Sequence, residues 1–169
     1  MKRFFLFMFV LFVGITLVAQ ETKNDSVGNV LYEQAIKAIE NKRFIIRIDT
    51  YEWSGGRKFL DNRTNFLKLE NGVVSSKYDD GRADSDTWTG VTHIAKVRTC
   101  KASDIKIEYA ESISTIIPIN YSNYIEHAHQ AKIVLEKETN KCVIYYYRNS
   151  RECGYSKGVL YPIGTTTIY

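Results

Sequence analysis

The one short segment whose residue types and spacing are those of a reacting centre is Glu126-His127-Ala128-His129. Residues two apart in an extended strand share a face, so His127 and His129 would present both imidazoles to one side, where they could hold a common metal ion. Two nitrogens do not complete such a site, and Glu126 falls on the opposite face. The plainer reading is a polar entry into a strand. A metal-dependent hydrolase built on His127 and His129 is kept as the alternative. The remaining histidine, His93, shares a face with Val91, Ala95 and Val97 and has no serine or cysteine nucleophile set beside it, which reads as a half-buried, hydrogen-bonded side chain.

Two other groups could do chemistry. The loop Asp79-Asp80-Gly81-Arg82-Ala83-Asp84-Ser85-Asp86 spaces carboxylates as calcium prefers, but it lacks the glycine and the closing glutamate of the twelve-residue calcium loop and reads as a solvated connection. Cys100, Cys142 and Cys153 allow at most one internal bridge and form no C-x-x-C pair, so neither redox exchange nor zinc has a spacing to support it. If Asn149-Ser150 is a two-residue turn, Cys142 faces Lys157 and Cys153 faces Tyr146, too far apart along the strands to bridge. A Gly-rich phosphate loop, a G-x-S-x-G elbow and H-E-x-x-H are all missing. The sequence therefore leans away from an enzyme and calls for no cofactor.

Aromatic residues offer a different chemistry. There are 12 tyrosines and 2 tryptophans. In the run Tyr145-Tyr146-Tyr147, strand alternation puts Tyr145 and Tyr147 on one face and Tyr146 on the other, so one set is left partly exposed. Rings that join an apolar body to a polar tip suit carbohydrate, peptide or protein contact. Tyr145, Tyr147, Trp53 and Trp88 are the candidate ligand-binding residues.

The elements that must position these residues begin after a leader. Met1-Lys2-Arg3 precedes an apolar run from Phe4 to Val18, then Ala19 and a polar stretch from Gln20. Fifteen residues at 1.5 Å rise cover about 22 Å of a hydrocarbon layer roughly 30 Å thick. The segment is short for a membrane span and has the pattern of a signal peptide over residues 1–20. Its removal leaves 149 residues and lowers the formal charge from +4 to +2, with no transmembrane segment remaining. That length makes one domain and needs no metal or disulfide framework. The charges are interspersed, with no basic block to track a phosphate backbone, so nucleic acid is excluded as a partner.

Residues 21–29 are polar and read as a flexible leader, and residues 30–169 as a single β-rich domain. From Val30 to Asn41, Leu31, Ala35, Ala38 and Ile39 fall at helical spacing, predicting one amphipathic helix. Everything after it reads as strand. Phe44, Ile46 and Ile48 alternate with Arg47 and Asp49, and Ser54-Gly55-Gly56-Arg57 breaks that run. Asn65–Glu70, Asn71-Gly72 and Val73–Tyr78 carry a strong hairpin signal. Further strands are predicted at Val91–Val97, Asp104–Tyr109, Ile113–Ile117, Ala131–Lys137, Cys142–Tyr147 and Gly158–Tyr161, with turns at Thr139-Asn140 and Asn149-Ser150. Strands so close together leave no room for crossover helices. The fold expected is mainly β (α+β), an antiparallel sandwich or partly closed barrel with one N-terminal helix over an opening or a face.

The run Tyr32–Phe44, with Asn65-Phe66-Leu67-Lys68-Leu69 and the strand pair between Gly90 and Lys106, resembles the exported Bacteroidetes family called domain of unknown function 4251 over residues 31–162. The resemblance implies export and a β-rich fold and transfers no site residues. The Tyr/Asn/His-rich segment 120–129 and the three cysteines depart from the family's pattern. The sequence thus reads as a periplasmic or secreted, non-catalytic module of the cell envelope that binds a small ligand, a glycan or an envelope protein.

Overall fold

The computed structural model describes residues 27–53, 56–59, 65–77, 97–122 and 127–165, excluding the side chains at 53, 56–59, 120–122 and 127. The helix, α1, occupies residues 27–40 and so begins three residues before the predicted start. Ala35 and Ile39 are fully buried and Ala38 nearly so, as helical spacing requires. Leu31 does not join them. It is 37% exposed, alongside exposed Val27 and Val30; full burial is confined to the C-terminal half of α1, and half-buried Tyr32 and Ile36 pack against the core beside it. The helix ends in a Schellman arrangement: Arg43 N–H donates to Ala38 O and Lys42 N–H to Ile39 O, with Lys42 at φ 54°.

Among the described residues ten strands follow: β1 Phe44–Trp53, β2 Gly56–Phe59, β3 Phe66–Glu70, β4 Val73–Lys77, β5 Arg98–Lys101, β6 Lys106–Tyr109, β7 Ile113–Ser122, β8 His127–Leu135, β9 Lys141–Arg148 and β10 Arg151–Pro162. All pairings are antiparallel, in the order β5-β4-β3-β1-β10-β9-β8-β7-β6, with β2 paired to the far half of β1. The predicted hairpin at Asn71-Gly72 is present, with Glu70 opposite Val73 and φ values of 52° and 71° at the two turn residues. Asn149 and Ser150, at 48° and 64°, make a second tight turn with Arg148 opposite Arg151. Positive φ at both central residues is the backbone twist that matches the right-handed twist of the flanking strands.

Several strand assignments shift, among them β7, which runs on to Ser122, and β8, which begins at His127 rather than Ala131. Gly56 and Arg57, expected in a break, open β2. Strand β5 at Arg98–Lys101 lies beyond the predicted Val91–Val97, of which 91–96 are outside the described residues. Strand β10 starts seven residues before Gly158. It was concealed by Glu152-Cys153-Gly154, where a bulge interrupts the alternation.

The sheet curls into a half-barrel. Strands β4 and β5 come across to pack on β7, and at the resulting seam the Cys100 thiol donates to Pro118 O at 3.5 Å. The upper half of β7 is free for this approach because β6 covers only Ile113 to Ile116. Helix α1 lies across one end of the curl. Near its start Gly28 approaches the β8–β9 turn, where an added Cβ would lie 2.9 Å from Glu138 O, and at its finish Tyr109 of β6 donates to Glu40 at 3.0 Å. The concave face holds the core, including Phe44, Ile46, Leu67, Leu69, Ile117, Ile133, Ile144 and Leu160.

Candidate functional site

A bulge in β1 decides which aromatics go inward. Ile48 pairs with Gly158 but Thr50 with Lys157, so Asp49 is the extra residue and the strand's phase reverses after it. Tyr51 therefore turns into the core at 2% exposure, where its ring tilts at 53° against Tyr146 with centroids 5.9 Å apart. The Tyr146 and Ser156 hydroxyls are 2.9 Å apart in the same interior. Burial, partly opposed by that hydrogen bond, pushes the Tyr146 phenol well above its usual range. Ionised tyrosinate is thus disfavoured inside the barrel.

Tyr145 and Tyr147 take the opposite, convex face, each half-buried between buried Ile144 and Tyr146 and exposed Arg148. Strand register sets Tyr145 between Tyr155 on β10 and Lys132 on β8, with Glu52 of β1 beyond Tyr155. The rings of Tyr145 and Tyr155 lie 6.2 Å apart and tilted by 45°, a cross-strand aromatic pair. Tyr147 stands in the next row, between Glu152 and Gln130. Partial burial, reinforced by the Glu152 carboxylate, raises its phenol above the ordinary value, so this hydroxyl stays a protonated donor at neutral pH.

The platform is bounded by ion pairs. The Lys132 ammonium lies 2.9 Å from Glu108, and this hydrogen-bonded contact holds the Glu108 carboxyl below its usual range. At the other side Arg47 sits 3.0 Å from Asp49 and 6.0 Å over the Tyr161 ring. Tyr161 in turn borders a small outer cluster with Ile45, Phe66 and Ile163.

The predicted residues distribute unevenly. Tyr145 and Tyr147 share one face, and Tyr155, which the sequence reading left out of the site, completes their group. Its signal was the position two strands' alternation assigns it across the Asn149-Ser150 turn, shifted by one residue by the bulge. Trp53 ends β1 opposite Gly154, with its side chain outside the description, and Trp88 lies outside the described residues. His127 opens β8 opposite Ser122, and His129 is exposed, flanking Ala128, which is fully buried. Among the described residues no three His, Cys, Asp or Glu side chains stand close enough to hold a metal ion. Glu126, His93 and the 79–86 loop lie outside those residues.

The same bulge corrects the cysteine register. Cys142 faces Gly158 rather than Lys157, and Cys153 is the extra residue of the bulge, its thiol donating to Tyr146 O at 3.4 Å. Desolvation pushes the fully buried Cys142 thiol far up. No described helix is long and apolar enough to cross a membrane.

No family model and no curated protein matches the chain. Among solved structures, the crystal structure of a DUF4251 family protein from Bacteroides eggerthii is similar at 17% identity and a TM-score of 0.59, covering 85% of this chain and 95% of that one. The helix-capped, curled antiparallel sheet is therefore a fold shared with a member of domain of unknown function 4251.

Proposed function

We propose that the protein is a non-catalytic binding module of the cell envelope, exported by way of residues 1–20, that contacts its ligand through the convex tyrosine face. The observation that carries the reading is the cross-strand pair Tyr145 and Tyr155 with Tyr147 in the adjoining row. Three rings held on two neighbouring strands lose little conformational freedom on binding, and they offer apolar area with three donors at the rim. Lys132, Gln130 and Glu152 supply polar contacts around them. A glycan chain or a protein surface fits this flat, mixed character better than a small apolar molecule, which takes an enclosed pocket.

The test is a binding screen of cell-envelope glycans and co-purifying envelope proteins, followed by calorimetry on variants. Replacing Tyr145 or Tyr155 by Ala is expected to weaken binding by about 1–2 kcal/mol, as aromatic anchors do. Replacing His127 and His129 together by Ala is expected to leave it within about 0.5 kcal/mol, the usual range for surface positions. Binding lost in the histidine variant and retained in every tyrosine variant would replace this reading with the metal-dependent one.

A further inference from the structure

A recess, separate from the tyrosine face, opens beside the end of α1. It is an open recess of about 320 Å³ lined by Lys42, Gly72, Ala102, Ser103, Asp104, Ile105 and Lys106. We propose that it is a site for an anionic monosaccharide, a sugar acid or sugar phosphate, held by the Lys42 and Lys106 ammonium groups.

Three chain segments meet here, and each is fixed by its backbone. Lys42 is the left-handed residue that terminates α1. Gly72 is the second residue of the β3–β4 turn, and the Ala102 N–H donates to its carbonyl at 2.9 Å, tying the β5–β6 connection to the hairpin. The rim is thus assembled before any ligand arrives, which lowers the cost of binding.

The lining is chemically divided. Ala102 and Ile105 pack against the core and make an apolar floor. Ser103 and Asp104, whose side chains are 3.3 Å apart, present a hydroxyl and a carboxylate on one side. Lys42 and Lys106 bring two positive charges. Among the described residues, neither ammonium group makes a hydrogen bond or ion pair. The nearby Glu108 takes its close partner from Lys132 and feels Lys106 only through longer-range attraction.

Two uncommitted ammonium groups facing one recess call for an oxyanion, and an ammonium is a point charge that accepts carboxylate or phosphate alike. Asp104 would oppose a bare anion but would accept hydrogen bonds from a neighbouring hydroxyl. The apolar floor suits the C–H face of a ring. A recess at the lower end of the range for small-ligand sites, roughly 300–1,000 Å³, takes one such ring and not a chain.

The experiment is an amide NMR titration of the ¹⁵N-labelled protein with four probes: glucuronate, glucose 6-phosphate, glucose and inorganic phosphate. The expected result is saturable shifts at Gly72 and at residues 102–106 with glucuronate or glucose 6-phosphate. Glucose and inorganic phosphate should bind at least about tenfold more weakly. In a variant carrying Lys42→Gln and Lys106→Gln, both exposed positions, affinity should fall about tenfold while the rest of the spectrum is unchanged. Absence of shifts at those amides with both anionic sugars would overturn the proposal. So would glucose or inorganic phosphate binding as tightly as glucose 6-phosphate, or undiminished affinity in the double variant. None of these outcomes bears on the tyrosine face, whose own screen stands or fails separately.

Discussion

The hydroxyls of Tyr146 and Ser156 meet at 2.9 Å inside the half-barrel, reaching diagonally from β9 to β10, and Ser156 is fully buried. Each gives the other a hydrogen bond where no solvent is at hand, so removing either hydroxyl forfeits that bond in a dry interior. Ser156→Ala and Tyr146→Phe should each cost about 1–3 kcal/mol in urea unfolding. The double variant should cost clearly less than the sum, because no polar atom is left stranded. Strict additivity would show that the two hydroxyls do not act as a pair.

Thr115 on β7 presents the opposite case. It is fully buried, and its hydroxyl has no hydrogen-bond partner among the described residues. Thr115→Val keeps the branched shape and removes the orphan, so it should raise stability by about 1 kcal/mol. A loss of that size, read from the urea midpoint, would count against this environment.

Two glycines are required for different reasons. At Gly158 an added Cβ would fall 2.1 Å from the Arg47 carbonyl, so β1 could not stay paired with β10. Gly158→Ala should cost more than about 3 kcal/mol or abolish folding, since backbone rather than a flexible side chain is in the way. At Gly72 nothing lies within 4 Å, and only its φ of 71° resists a side chain. Gly72→Ala should cost about 1 kcal/mol. Comparable losses at the two sites would contradict this distinction.

Alkali should unfold the protein through its interior. The Tyr146 phenol and the Cys142 thiol are both raised by burial, so each prefers its neutral form more strongly when folded. A raised folded pKa means stability that is complete below the unfolded value and declines above it. Those unfolded values are about 8.5 for cysteine and about 10 for tyrosine, so urea midpoints should hold to about pH 8 and fall progressively above it. Tyr109, whose phenol is raised by its hydrogen bond to Glu40, acts in the same direction at the surface. By the same logic an alkylating reagent at neutral pH should modify Cys100 and Cys153 first and reach Cys142 only on unfolding, as a peptide map would read.

Much of this architecture is written locally. Asn71-Gly72 and Asn149-Ser150 declare their turns because few residue pairs tolerate left-handed backbone twice in succession. The alternation of Phe44, Ile46 and Ile48 marks a buried face directly. What the sequence conceals is phase. The extra residues Asp49 and Cys153 sit in runs that look continuous, and each reassigns the side chains that follow. Tyr51 becomes core by this means, and Cys142 moves from Lys157 to Gly158. The tyrosine face was half legible: Tyr145 and Tyr147 follow from one strand's alternation, whereas Tyr155 enters through pairing across a bulge. The lysine-lined recess was not legible at all, since Lys42, Gly72 and Lys106 are brought together only by the curl of the sheet. Leu31 fits the helical stripe by angle, but its burial depends on how far the sheet extends beneath α1.

Strand β10 is the last of the described strands, yet it lies between β9 and β1, the first of them. Its Tyr161 and Pro162 pair with Ile45 and Phe44 at the very start of the sheet. Contacts of such long sequence separation are slow to form because loop-closure entropy is spent before they give any return. While the chain is being made, β1 and β9 each keep one unpaired edge until residues beyond 150 emerge, so the barrel cannot assemble vectorially from its N-terminus. A nascent chain of this design keeps both edges open until β10 is available, and loss of β10 would interrupt the sheet between β9 and β1, leaving its two halves joined only where β4 and β5 pack on β7.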